Sequence, residues 1–153
     1  MDILFKPKIK IIDDALLRNE LVNLFIHKMH KTIVKWAIFL IKETMSIYSF
    51  NQEQKKEIFD AILLMDNWEN DLSKLSLIRT RAFLFHKYAR EAQKQKEKIA
   101  FRVIAQSVSS CHVKEHALIA SDYQVKLNNY ESSKDISLSK NLRKRQIGEL
   151  KKI

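Results

Sequence analysis

The chain contains one glycine and one proline among its 153 residues. At average usage a chain of this length would carry about ten glycines and about eight prolines. Tight hairpins and β-bulges depend on glycine, because glycine adopts positive φ at little cost. The scarcity therefore predicts an all-helical fold. It also argues against the glycine-rich loops that hold phosphate groups in P-loop proteins and in dinucleotide-binding enzymes.

Five segments of the chain place apolar residues at helical spacing. We expect one main helix in each of them: residues 14–29, 31–48, 52–68, 74–92 and 97–127. The second segment is apolar on nearly every side, so it is expected to be the central helix. Asn51 and Gln54 match the capping-box pattern that starts a helix. The simplest packing is an all-α, single-domain bundle of about five main helices in antiparallel pairs.

Composition divides the chain into three parts. Residues 1–12 alternate basic and apolar side chains and include the proline, so we expect an N-terminal arm there. Residues 13–130 form the predicted helical domain. Residues 131–153 are predicted to be a polar linker followed by a basic C-terminal tail or short helix.

The formal charge of +10 is concentrated near the two ends of the sequence. Residues 13–139 carry 19 basic and 16 acidic side chains, whereas residues 140–152 hold six basic side chains against one acidic one. These six are candidates for electrostatic contact with a partner: Lys140, Arg143, Lys144, Arg145, Lys151 and Lys152.

The single cysteine, Cys111, allows no internal disulfide, which is typical of a reducing compartment. The first residues show no apolar stretch followed by a small-residue cleavage site, so no secretory signal is predicted. The most apolar stretch, residues 33–47, contains three charged side chains and is shorter than the about 20 apolar residues of a membrane span. We therefore expect a cytoplasmic protein with no membrane partner.

A second set of candidate residues lies on the fourth and fifth predicted helices. His86 and Arg90 are four residues apart, as are His112 and His116, so each pair is expected to share a helix face. We expect a polar cluster or groove between the two helices. Its candidate members are Arg79, His86, Arg90, His112, His116, Asp122 and Tyr123.

Two histidines at this spacing can also chelate zinc. The glutamate that follows the first histidine of a zincin motif is absent, because Val113 occupies that position. Neighbouring helical residues point about 100° apart, so Cys111 and His112 are not expected to form a nucleophile–base pair. The sequence therefore predicts no metal, no other cofactor and no enzymatic activity.

The region from Trp36 to Tyr123 resembles a family of bacterial immunity proteins found among polymorphic-toxin systems. The matching elements are Trp36-Ala37, Ala61 to Trp68, Arg79 with His86-Lys87-Tyr88-Ala89-Arg90, and Cys111-His112-Val113 with His116-Ala117 and Tyr123. The chain departs from the family pattern at Glu69-Asn70-Asp71, which replaces a glycine-containing turn, and at Gln106, where a histidine often stands.

The resemblance implies an all-helical protein that binds and neutralises a cognate toxin through a protein–protein interface, without catalytic residues. In that case, removal of residues 140–153 should leave neutralisation largely intact. Two alternatives remain open: a nucleic-acid-binding helical protein that uses its basic termini, and a metal-dependent enzyme built on the histidine cluster.

Overall fold

The computed structural model describes residues 6–71, 74–132 and 135–153. This part of the chain contains seven helices and no strand. The helices are α1 (Ala15–Phe25), α2 (His30–Ile47), α3 (Gln52–Asp66), α4 (Lys74–Glu91), α5 (Gln95–Ser109), α6 (Glu115–Ser132) and α7 (Ile136–Lys152). The all-α prediction is confirmed. The start of the predicted arm and two residues of the predicted linker lie outside the described residues.

Side-chain caps define where three of the described helices begin: α1, α3 and, through Asp135, α7. The Asp14 carboxylate accepts a hydrogen bond from the Leu17 backbone N–H at 2.8 Å and so caps α1. The predicted capping box of α3 is confirmed, because Asn51 and Gln54 each accept a hydrogen bond from the other's backbone N–H. Such caps satisfy N–H groups that have no partner within the helix.

Helices α2 and α5 form the centre of the bundle. α2 contacts α3, α5, α6 and α7, and it buries Trp36 completely. α5 makes the most extensive contacts, since it packs between α4 and α6. The expectation that α2 is central is therefore confirmed, although α5 shares that role. No described helix combines the length and the apolar character needed to cross a membrane.

The prediction of one long fifth helix over residues 97–127 is wrong, because two helices occupy this region. The chain leaves α5 at Ser109 and starts α6 at Glu115, with turns between them. Ser109 and Ser110 direct their hydroxyls to the carbonyls of Ala105 and Ser107 at 2.9 and 2.6 Å. Such local bonds compete with helical ones. The break contains neither glycine nor proline, so the usual sequence signal was missing.

The C-terminal segment is a packed helix rather than a tail. α7 has 17 residues and contacts α1, α2 and α6. It buries Leu142, Ile147 and Leu150, and the Trp36 indole N–H donates to the Gln146 carbonyl at 2.9 Å. This helix and the break after α5 account for the count of seven rather than about five. Removal of residues 140–153 would uncover the core beneath α7, so this deletion cannot test the function of a surface.

Candidate functional site: the basic face of α4, α5 and α6

Two side-chain contacts join α4, α5 and α6 on one side of the bundle. The Arg102 guanidinium of α5 donates to Nδ1 of His86 in α4, at 2.6 Å. Four residues further along α5, the Gln106 side-chain oxygen accepts a hydrogen bond from Nδ1 of His116 in α6, at 2.7 Å. Because Arg102 and Gln106 share one stripe of α5, the two contacts place both histidines along that stripe.

Helix α5 reaches solvent through this stripe. Between residues 99 and 109 it buries every side chain except Arg102, Gln106 and Ser109. Lys98 precedes Arg102 by four residues, so it extends the same stripe toward the start of the helix. The middle helix therefore presents a narrow polar strip, flanked by α4 on one side and α6 on the other.

Basic side chains line this side of the three helices. In α4, Arg79, His86 and Arg90 lie at seven- and four-residue spacing on one stripe, where the two arginines are exposed and His86 is half-buried. In α6, His116 and Lys126 lie ten residues apart, which places them about 80° apart around the helix. Lys126 borders a hollow that Gln95 and Ile99 of α5 also line. We call this surface the basic face and define it by these residues: Arg79, His86, Arg90, Lys98, Arg102, His112, His116 and Lys126.

The arginines and lysines of the basic face have no acidic partners among the described residues. None of the five forms an ion pair with any residue in the described part of the chain. Lys8, from the segment before α1, adds a further positive charge that acts on His116, and Glu115 opposes it. Lys10 borders the same hollow as Lys126. The face therefore carries an excess of positive charge.

The histidines of the basic face have lowered pKa values. Burial is the largest cause for His86, and the guanidinium groups of Arg102 and Arg90 add to it by repelling a proton, so that together they lower the pKa of His86 to about 4. A guanidinium only donates hydrogen bonds, so Nδ1 of His86 must accept one and its proton must be on Nε2. Burial also lowers the pKa of His116, with Lys8 contributing.

His112 lies in the turn between α5 and α6, not on α6. Its Nε2 donates to the Leu75 carbonyl in α4 at 3.1 Å, while Nε2 of His30 donates to the Ser110 carbonyl at 2.6 Å. Burial lowers the pKa of His112, and the nearby charge of Arg79 adds to this. The premise that His112 and His116 share a helix face is therefore wrong, although His112 still contributes to lowering the pKa of His116.

Asp122 lies away from the basic face, within a buried polar network. Its carboxylate accepts hydrogen bonds from Arg18 at 2.9 Å and from Arg143 at 2.6 Å. Arg143 also contacts Asp13 at 2.7 Å. These side chains join the segment before α1 to α1, α6 and α7. The structure thus separates Asp122 from the other predicted members of the cluster, while Tyr123 is half-buried against the core.

Arg143 is fully buried, which corrects its prediction as a surface contact. Burial by itself would lower the pKa of Arg143, but the carboxylates of Asp13 and Asp122 outweigh it and raise that pKa above its ordinary value. The remaining five predicted contacts are exposed. Four of them already have carboxylate partners: Lys140 with Asp14, Arg145 with Glu43, Lys151 with Glu20 and Lys152 with Glu149.

The sequence prediction did not include Arg18 or the buried position of Arg143, although the spacing of both residues indicates burial. Arg18 is three residues before Leu21 and seven before Phe25, so it lies on the apolar stripe of α1. Arg143 likewise adjoins Leu142 and Ile147 on the buried side of α7. A charged residue on an apolar stripe predicts a buried ion pair.

A second surface lies between α3 and α4. It is an apolar groove of about 700 Å³ lined by Leu63, Leu64, Leu77 and Leu84, among others. Arg81 at its edge forms an ion pair with Glu57. In contrast to the basic face, this surface is apolar and its arginine is neutralised.

The described residues were also compared with what a metal site or a nucleophilic cysteine requires. They contain no group of three or more His, Cys, Asp or Glu side chains placed to hold a metal ion. Burial raises the pKa of the Cys111 thiol to about 12. A thiol with that pKa stays protonated at neutral pH and is a poor nucleophile.

Comparison with known proteins identifies one family. Its profile, described as "Imm-5 like putative immunity protein", matches residues 23–153. The match covers α2 to α7, which is more of the chain than the resemblance between Trp36 and Tyr123. A search of curated proteins and a search of solved structures gave no significant match.

Proposed function

Because this chain belongs to the Imm-5-like family of immunity proteins, we propose that it binds and neutralises a cognate bacterial toxin. The observation that carries the proposal is the family match over residues 23–153. An immunity protein protects by occupying a surface of its toxin. The expected activity is therefore stoichiometric inhibition through a protein–protein interface, without turnover.

The bundle has properties that suit such an inhibitor. α2 and α5 are buried on most sides, and the buried polar network ties α1, α6 and α7 together. A preorganised surface loses little conformational entropy when it binds. Inhibitors of this kind keep nearly the same backbone in the free and bound states. These properties support the proposal but do not identify the contact surface.

Nucleic-acid binding is a second candidate function, and the basic face is the observation that favours it. Arginines and lysines on one side of a protein form the usual footprint of a phosphate-binding surface. This differs from the expectation that the basic termini bind nucleic acid, since Arg143 is buried and four of the other basic residues near the C-terminus are paired.

Rescue of growth tests the proposed function. The protein is co-expressed with a toxin whose gene adjoins its own, once sequencing of the locus has identified one, and we expect growth to be restored when the two proteins are present in equal amounts. A catalytically inactive version of the toxin gives the growth expected without toxicity. Full toxicity in cells that accumulate folded protein in excess would contradict the proposal.

A further inference from the structure

We propose that the basic face of α4, α5 and α6 is the surface that binds the toxin, and that it recognises an acidic patch there. This inference rests on the proposed function and specifies its interface.

The pairing of arginines differs between this face and the other described parts of the bundle. The four described arginines outside the face each have a carboxylate partner: Arg18, Arg81, Arg143 and Arg145. On the basic face, by contrast, the five cations defined above have no ion-pair partner among the described residues. Lysines do not show this difference, because Lys35 and Lys42 of α2 also have no ion pair within the described residues. Like charges on one surface repel each other, and an acidic partner would relieve that repulsion.

Arg102 of the basic face, and Gln106 beside it on α5, are also held in place. Arg102 is fixed by its hydrogen bond to His86, and Gln106 by its bond to His116. A guanidinium that is already oriented loses less entropy when it binds a carboxylate in bidentate fashion. The neutral histidines therefore act as positioning residues within the interface, since they hold neighbouring donors in a fixed direction.

An exposed apolar side chain beside the basic face favours a protein partner over nucleic acid. Phe83 lies four residues after Arg79 and is 64% exposed. Arginine and aromatic side chains dominate the energetics of protein interfaces. A protein can bury the apolar area beside these charges, whereas a phosphate backbone cannot.

The test compares two charge reversals that change the net charge equally. Arg79→Glu/Arg90→Glu alters the basic face, and Lys35→Glu/Lys42→Glu alters exposed positions of α2 that also have no ion pair within the described residues. Association and dissociation rates are measured with the purified, catalytically inactive toxin at low and at about physiological salt. Arg79→Gln/Arg90→Gln removes charge without reversing it, and thermal melting verifies that each variant is folded.

We expect Arg79→Glu/Arg90→Glu to weaken binding about tenfold to a hundredfold, mainly through slower association, because such steering acts before contact. This loss of affinity should become smaller as salt screens the charges. The glutamine variant should lose less affinity than the glutamate variant. The affinity of the α2 variant should stay within about twofold of the wild type, as expected for charges distant from an interface.

Three results would overturn the inference. If Arg79→Glu/Arg90→Glu binds the toxin as the wild type does and rescues growth normally, the basic face is not the interface, but the proposed function stands. If the wild type does not bind the toxin, the proposed interface and the proposed function are both wrong. Submicromolar binding of a short DNA duplex at about physiological salt, abolished by the same reversal, would assign the face to nucleic acid.

Discussion

Arginines occur in two contrasting settings in this molecule. In the buried polar network, Arg18 and Arg143 each lie within 3 Å of the Asp122 carboxylate, and Arg143 also contacts Asp13. On the basic face, Arg79 and Arg90 are exposed and have no carboxylate partner among the described residues. Removal from water makes an unpaired charge costly, whereas hydration tolerates it. The first setting therefore holds the fold together, and the second leaves charge available for a partner.

Removing one buried arginine should have the largest effect on stability. Arg143→Ala leaves the Asp13 carboxylate without its partner and takes one of two arginines from Asp122, so we expect a loss of about 3–5 kcal/mol in the free energy of unfolding. Arg145→Ala is the matched control, because Arg145 is 52% exposed in its pair with Glu43. Exposed pairs contribute about 0–1 kcal/mol. Urea unfolding measures both, and equal losses would contradict the proposed difference between the two settings.

A fall in pH should lower the free energy of unfolding through His86, which lies half-buried in the basic face. Its pKa is about 4 in the folded protein, against 6.5 for a free histidine. The unfolded chain therefore takes up this proton first, and stability falls as the pH drops from about 6.5 to about 4. After allowance for solvent screening, we expect His86 to account for about 1–2 kcal/mol of that loss.

The pH dependence can be assigned by substitution. His86→Asn keeps an acceptor for Arg102 but has no titrating ring, so its stability should fall less over this interval. His27→Asn, at an exposed position, should follow the wild type. Urea unfolding at several pH values distinguishes the two, and an unchanged slope in His86→Asn would show that another group is responsible.

Reversing charges on the basic face should have the smallest effect on stability. We expect Arg79→Glu/Arg90→Glu to change the free energy of unfolding by about 0.5 kcal/mol or less, since surface substitutions remote from buried features have effects of that size. Thermal melting measures it. A loss comparable to that of Arg143→Ala would mean that these arginines serve the fold, and the contrast between the two settings would fail.

Local patterns in the sequence predicted the helices well. Apolar spacing identified every helix from α1 to α4, and Asn51 with Gln54 predicted the capping box of α3. The break between α5 and α6 was missed, because it depends on serine hydroxyls and on contacts with other helices. His30 of α2 donates to the Ser110 carbonyl, and His112 of the break donates to the Leu75 carbonyl of α4. Spacing along one helix gives no information about such distant partners.

The candidate site was predicted in part for the same reason. The α4 stripe of Arg79, His86 and Arg90 follows from spacing alone. Asp122 was grouped with it because it follows His116 closely in sequence. Its actual partners, Arg18 and Arg143, lie 104 and 21 residues away. Arg102, which joins His86, was also missed, because α5 had no motif that distinguished it.

The buried polar network also has a consequence for the order in which the chain folds. Asp13 and Arg143 are separated by 130 residues, whereas His86 and Arg102 are separated by 16. Contacts between distant residues close large loops and form late. On the ribosome, Asp13 emerges long before its partner is synthesised. We therefore infer that the helices bearing the basic face assemble first, and that the nascent bundle forms this face before it reaches full stability.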